Sequence, residues 1–216
     1  PLMEKGEWYR LDLVETDEFN GQVNVKIHSG TTITPLNRDD IPKMENTPIG
    51  QITPGVFSVG AKVVAVENPN IEQILQRGIL ADETGAIKFV IRNTPDAIPL
   101  EENRWYEISS AVVDRYRGAL SLQIAPGSFQ ALEDDRSIRP NIIPVGQAGP
   151  GIVCLRVKLV QEYETTSDRI LQSGLVGDES GTMRFVTWKA DSAQRLLPDM
   201  VYGIYYASVD EFNNRL

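Results

Sequence analysis

The chain has 216 residues, 41% of them apolar and 24% charged, with one cysteine and a formal net charge of −9. That composition supports one large or two small packed domains and excludes a disordered chain. A single cysteine, Cys154, excludes an internal disulfide and suits a reducing, cytoplasmic compartment. No stretch approaches the roughly 18 apolar residues of a membrane helix, and residues 1–10 lack a basic-then-apolar leader pattern.

In chain order the first pattern is WYRLDLVETDEFNG from Trp8, which returns as WYEISSAVVDRYRG from Trp105. Residues 37–54 follow, rich in Pro, Asn, Asp and Gly, and read as a linker. Strands are expected at 59–66, at Ile74–Ala81 with Gly78 as a bend or bulge, and at 87–92. Between the last two lies the tight turn DETG at Asp82. Further strands are expected at 105–114 and Ala119–Ile124, joined by a turn at 115–118. Residues 133–150 read as a second linker.

Beyond it the pattern repeats: residues 151–214 align without a gap to residues 55–118 at an offset of 96. ILQRGILADETGAIKFVIR from Ile74 becomes ILQSGLVGDESGTMRFVTW from Ile170, and the Trp105 segment becomes VYGIYYASVDEFNN from Val201. A short helix is expected over residues 191–197. The organisation expected is therefore the late half of one unit at 1–36, a complete unit at 55–132, and a unit lacking its last strand at 151–216. The unpaired strands of the incomplete units would seek partners, so self-association through them is expected.

Five strands with a short helix between the third and fourth is the order of an OB-fold barrel. Periodicity alone leaves other small β-barrels and sandwiches open.

Alternation separates the faces. Met183, Phe185 and Thr187 share an inward side, leaving Arg184, Val186 and Trp188 outward. One unit earlier the outward positions hold Lys88, Val90 and Arg92. In the first strand Val153, Leu155, Val157 and Leu159 point inward and Arg156 and Lys158 outward, with Lys62 the equivalent one unit earlier. The turn before the fifth strand carries an aromatic each time, Phe19, Tyr116 and Phe212, at a tip poorly suited to burying a ring. Arg115, Arg117, Lys189 and Arg215 complete the basic set. Cations with exposed rings suit a single-stranded nucleic acid, where cations track phosphates and rings stack on bases. The net charge of −9 lowers that expectation as a sum, but a groove needs only local positive charge. Phe89 and Phe185 are expected in the core, and Trp8, Trp105, Tyr106 and Tyr202 against the barrel.

One histidine and one cysteine, far apart in the repeat, leave no nucleophile–base pair and no zinc ligand set, and no phosphate-binding loop is present. The pairs Asp82–Glu83 and Asp178–Glu179 sit in tight turns, where aspartate favours the turn itself. The chain reads as a non-enzyme with no cofactor.

The run GILADETGAIKF, its spacing to WYEI or VYGI, and the VDRYRG or TDEFNG turn resemble the OB-fold units of archaeal replication protein A. The resemblance covers nearly the whole chain outside the linkers. It implies tandem OB-folds that bind single-stranded DNA in replication, repair and recombination, in the cytoplasm at the nucleoid, alongside other replication proteins. It further implies one stacking aromatic in the third strand, matched by Trp188, and one in the turn between the fourth and fifth strands, matched by Phe212. In the middle unit the turn position is Tyr116, but the third-strand position is Arg92, so that unit would lean on Arg92, Arg115 and Arg117. In the front unit only Phe19 survives. A protein-docking scaffold and the RNA-binding module of a larger enzyme remain open as alternatives.

Overall fold

The computed structural model describes residues 3, 8–19, 22–37, 45–67, 69, 71–116, 118–190 and 193–210. The side chains of Phe19 and Tyr116 lie outside the described set, as do Arg117, Phe212 and Arg215.

The front of the chain forms four strands, β1 (Tyr9–Asp12), β2 (Glu15–Phe19), β3 (Gln22–Lys26) and β4 (Thr32–Pro35). β1 pairs with β4 and β2 with β3, both antiparallel. The middle unit follows with β5 (Gly55–Glu67), β6 (Ile74–Ala81), β7 (Ala86–Arg92), β8 (Trp105–Tyr116), β9 (Ala119–Ile124) and β10 (Phe129–Leu132). The last unit holds β11 (Ile142–Ile143), β12 (Gly151–Tyr163), β13 (Ile170–Asp178), β14 (Gly181–Trp188) and β15 (Val201–Val209).

The middle unit closes on itself. β5 pairs with β6, β6 with β7, β7 with β9, β9 with β8, and β8 returns to β5. All pairs are antiparallel except β7–β9, which is parallel. Among the described residues the last unit builds four strands of the same path: β14, β13, β12 and then β15.

Closure of a five-strand ring requires a strongly coiled first strand. A bulge between Val63 and Ala65 bends β5 opposite Gly78, and its counterpart between Leu159 and Gln161 bends β12 near Gly174. A side-chain carbon at either glycine would collide with the carbonyl of Ala65 or of Gln161. The fourth strand bends as well. Leu13, Ser110 and Tyr206, at equivalent places in the three units, all have left-handed φ, between 53° and 58°. The amide of Ser110 donates to the Ser58 hydroxyl, and that of Tyr206 to the Cys154 thiol.

The middle core gathers Val59, Val63, Leu80, Phe89, Ile91, Ile108, Val113 and Leu122. Phe89 is fully buried, as its inward position requires. The smaller core of the last unit centres on Leu155, Val157, Val176 and Met183, with Phe185 packed partly against it.

The expected helix between the third and fourth strands is corrected: described residues 193–197 are not helical, nor is any part of 93–104. Proline at 95 and 99 restricts the middle segment. More decisively, the backbone is bonded elsewhere. The buried amide of Gln76 accepts from the Leu100 N–H at 2.8 Å and donates to the Leu100 carbonyl at 2.9 Å. Gln172 makes the same two bonds to Leu196. A glutamine that supplies both partners to a loop residue replaces the hydrogen bonds a helical turn would make.

Replacing Gln76 with leucine leaves both Leu100 groups buried without partners. We expect a loss of about 1–3 kcal/mol in urea unfolding with an unchanged slope; a change below about 0.5 kcal/mol would mean that water replaces the amide.

Candidate nucleic-acid interface

The outward face of the last unit spans β12, β13 and β14, and the register sets its rows. Gln161, Leu175 and Arg184 form one row, Tyr163, Ser173 and Val186 the next, and Ile170 with Trp188 the third. Alternation along β14 is clear: Met183 is buried, Phe185 and Thr187 are half-buried, and Arg184, Val186 and Trp188 are exposed. Trp188 is 62% exposed, far more than a core tryptophan tolerates. The Arg184 guanidinium lies 5.7 Å from the Tyr163 ring centroid, in the range of a cation–π contact. Tyr163 was not singled out from sequence. Its position past the β12 bulge puts it outward, and only the bulge could have signalled that.

Loops frame this face. Arg195 donates to the Leu171 carbonyl at 2.8 Å and to the Glu162 carboxylate. Gln172 also donates to Glu162, at 3.1 Å. The segment before β15 is thereby tied to the end of β12, at one edge of the Tyr163 row. Lys189 is exposed just past Trp188, its amide bonded to the Arg169 carbonyl.

Arg156 and Lys158 are exposed on β12 but lie toward β15, opposite Gly203 and Val201. They flank the Arg184 row and do not join Trp188, which sits at the far end of β14. The equivalent Lys62 is half-buried beside Trp105, and its charge helps hold the Asp134 carboxyl below its usual value. The largest cause there is the Arg136 amide. Lys62 opposes Ala81, which opposes Ala86, two residues before Lys88 on the same side of β7, so it shares that face but is drawn toward Asp134 at its edge.

The middle unit presents different chemistry. The position of Tyr163 is taken by Glu67, paired with Arg77 across the strands at 2.6 Å. Lys88 faces Asp210 of the last unit at 3.7 Å. Arg92 is exposed at the end of β7, and Arg115 is engaged with the Gly118 carbonyl within its own turn. Trp105 is only 3% exposed: its indole N–H donates to the Arg136 carbonyl at 3.0 Å, and the Arg136 guanidinium covers the ring at 4.8 Å. Trp8 is half-exposed, Tyr106 is buried, and Tyr202 is half-buried with its hydroxyl accepting from the Leu197 amide.

The acidic turns do structural work. One oxygen of Asp82 accepts from the amides of Thr84 and Gly85 and from the Thr84 hydroxyl; the other accepts from the Ile49 amide at 2.7 Å. Asp178 likewise takes the Ser180 hydroxyl and amide and, at 2.9 Å, the Val145 amide. The Ser180 hydroxyl, then the Val145 amide, hold the Asp178 carboxyl below its ordinary value. No group of three or more metal-ligating side chains occurs among the described residues.

The decisive observation for classification is the strand path, first–second–third–fifth–fourth and back to first, with the third and fifth parallel. This is the Greek-key ring of an OB barrel. The OB domain of a Methanosarcina mazei protein is 30% identical and matches 43% of this chain and 88% of its own length, with a TM-score of 0.41. The chain belongs to the OB-fold proteins. A replication protein A heterotrimer bound to single-stranded DNA is 16% identical over 66% of this chain and 41% of its own, with a TM-score of 0.34. A murine DNA-binding protein bound to double-stranded DNA is 14% identical over 73% of this chain and 90% of its own, with a TM-score of 0.41. A scan of protein-family models and a search of curated proteins match nothing. No helix among the described residues is long and apolar enough to cross a membrane.

Within this OB fold Cys154 is buried beneath the β15 bend, and burial pushes its thiol above the ordinary value. The thiolate that reacts with disulfide reagents is suppressed at neutral pH. We expect Ellman's reagent to label Cys154 far more slowly in the native chain than in concentrated guanidinium chloride. Equal rates would show that β12 and β15 separate readily.

Proposed function

We propose that this OB-fold chain is a non-enzymatic single-stranded-DNA-binding protein. The observation that carries the reading is Trp188, 62% exposed on the third strand of the last barrel, in line with Arg184 and near the Arg184–Tyr163 pair. A largely exposed ring on the same strand face as a planar cation that can stack or pair with phosphate is the arrangement that base stacking and backbone tracking need. Arg156, Lys158 and Lys189 extend the positive charge to either side of this face. Phe212 and Arg215, expected from sequence after the fourth strand, would complete the site; both lie outside the described residues. The resemblance of the repeated motifs to archaeal replication protein A supports a role in replication, repair and recombination, at the nucleoid and alongside other replication proteins.

A second reading applies to the middle barrel alone. Glu67–Arg77 and Lys88–Asp210 neutralise two cations of its face and leave Arg92 exposed at the end of β7, a balance that suits protein docking better than phosphate. Val23 and Val25 on β3 are exposed apolar residues on a strand that, among the described residues, pairs with β2 alone, and self-association through such an edge belongs to the same proposal.

The test is fluorescence-anisotropy titration of a labelled oligo-dT with duplex and structured RNA as competitors. We expect binding that weakens with salt and resists duplex. Trp188→Ala should cost about 1–3 kcal/mol. Arg184→Ala or Lys158→Ala should flatten the salt slope by about one phosphate contact. Wild-type affinity in Trp188→Ala would place the site on another face, equal competition by RNA would favour the RNA-module reading, and absence of binding at low salt would favour docking.

A further inference from the structure

The stretches between units have a spacer's composition, yet their ends are bonded to the barrels. Before each barrel the chain first makes a parallel bridge with the first strand, Asn46 with Ser58 and Ile142 with Cys154. It then forms a single 3₁₀ turn, Ile49–Gln51 or Val145–Gln147, each opened by a proline. The Ile49 and Gly50 amides are taken by Asp82 and Thr84, at 2.7 and 2.9 Å. The Val145 and Gly146 amides are taken by Asp178 and Ser180, at 2.9 and 2.8 Å. Ile49 and Ile52 are buried in the middle core, and Val145 and Ala148 in the last. The glycines are needed: a side-chain carbon at Gly50 or Gly146 would come within 2.9 Å of the Thr84 or Ser180 carbonyl.

The other end of the second stretch is also held. β10 pairs with β8, and Arg136 is fixed on Trp105 by its carbonyl and by its guanidinium. Only residues 137–141 lie between these two attachments, a reach of roughly 20 Å even if fully extended. Lys88 and Asp210 meet across the barrels.

We propose that the Asp-Glu-Thr/Ser-Gly turn is a latch for the Pro-Ile/Val-Gly-Gln segment, and that its second copy, Asp178 and Ser180 on Val145 and Gly146, holds the middle and last barrels in one fixed relation, so that they present a single continuous site to one strand. The latch rests on the contacts above; the continuous site rests also on the DNA reading. Fixing the barrels in advance removes an ordering cost on binding, and the second barrel then engages at high effective concentration. A freely hinged pair would lose much of that gain.

Two measurements on the full chain separate the parts. In a Cys154→Ser background (serine is the middle unit's own residue here, Ser58), spin labels at Glu102→Cys and Asp168→Cys report the distance between barrels without DNA. The intact latch should give one narrow distance distribution. Gly146→Ala, and separately the milder Ser180→Ala, should broaden it while the thermal unfolding of the barrels persists. Equal widths in intact and latch-variant chains would overturn the latch. The second measurement compares oligo-dT of about 6 and about 24 nucleotides, bracketing one barrel's site. The intact chain should favour the longer oligomer by at least about tenfold; latch variants should keep the short-oligomer affinity and lose most of that preference. A preference that survives in the latch variants would overturn the continuous site. A narrow distribution with no DNA binding at all would keep the latch and reject the DNA reading.

Discussion

The coiling of the first strand is the constraint from which the rest of this molecule follows. β5 and β12 must each serve two neighbours that diverge around a small ring, and thirteen residues cannot do that without a break in the ladder. The bulges after Val63 and Leu159 provide the break, and Gly78 and Gly174 leave room for the strand to cross. The bend rotates the residues that follow. In the last barrel that rotation brings Tyr163 outward, diagonal to Arg184, and so assembles a face from three strands. In the middle barrel the same rotation brings Glu67 to Arg77, and the face closes on itself as an ion pair.

One backbone thus carries two chemistries. The two units share the path of their first four strands, the bulges, the glutamine clamps and the acidic turns, and differ at a few outward positions: Trp188 against Arg92, Tyr163 against Glu67, Arg184 against Lys88. Exposed ion pairs contribute little to stability, so these substitutions cost the fold almost nothing. Function is free to vary on the outer face while the inner face holds Phe89 or Phe185.

Much of this was legible in the residues. The repeat at an offset of 96 pointed to recurring units, and alternation along β14 separated Met183 from Trp188. The DETG and DESG turns were legible as turns, because aspartate and glycine have local preferences. Their second role, taking amides from residues 33 or 34 positions away, was not, since long-range partners leave no local trace. The same blindness produced the helix expected over 191–197: its polar and apolar spacing suits a helical turn, but Gln172, 24 residues earlier, bonds the Leu196 backbone instead. Tyr163 escaped because a bulge changes the parity on which alternation depends. Lys62 and Lys158 occupy equivalent positions, yet only the structure shows that chain beyond β10 crosses beside the first and leaves the second exposed.

The central claim is that the outer face of the last barrel, centred on Trp188, receives bases. The chain has three tryptophans, Trp8, Trp105 and Trp188, and their indole N–H groups are separate reporters in a heteronuclear NMR spectrum. Titrating unlabelled oligo-dT into the isotopically labelled chain should move or broaden the Trp188 indole signal first, with the amides of β13 and β14 following. The Trp105 signal, capped by Arg136, should stay in place. Perturbation of Trp105 with Trp188 unmoved would contradict the account and put the ligand on the middle barrel, beside β8.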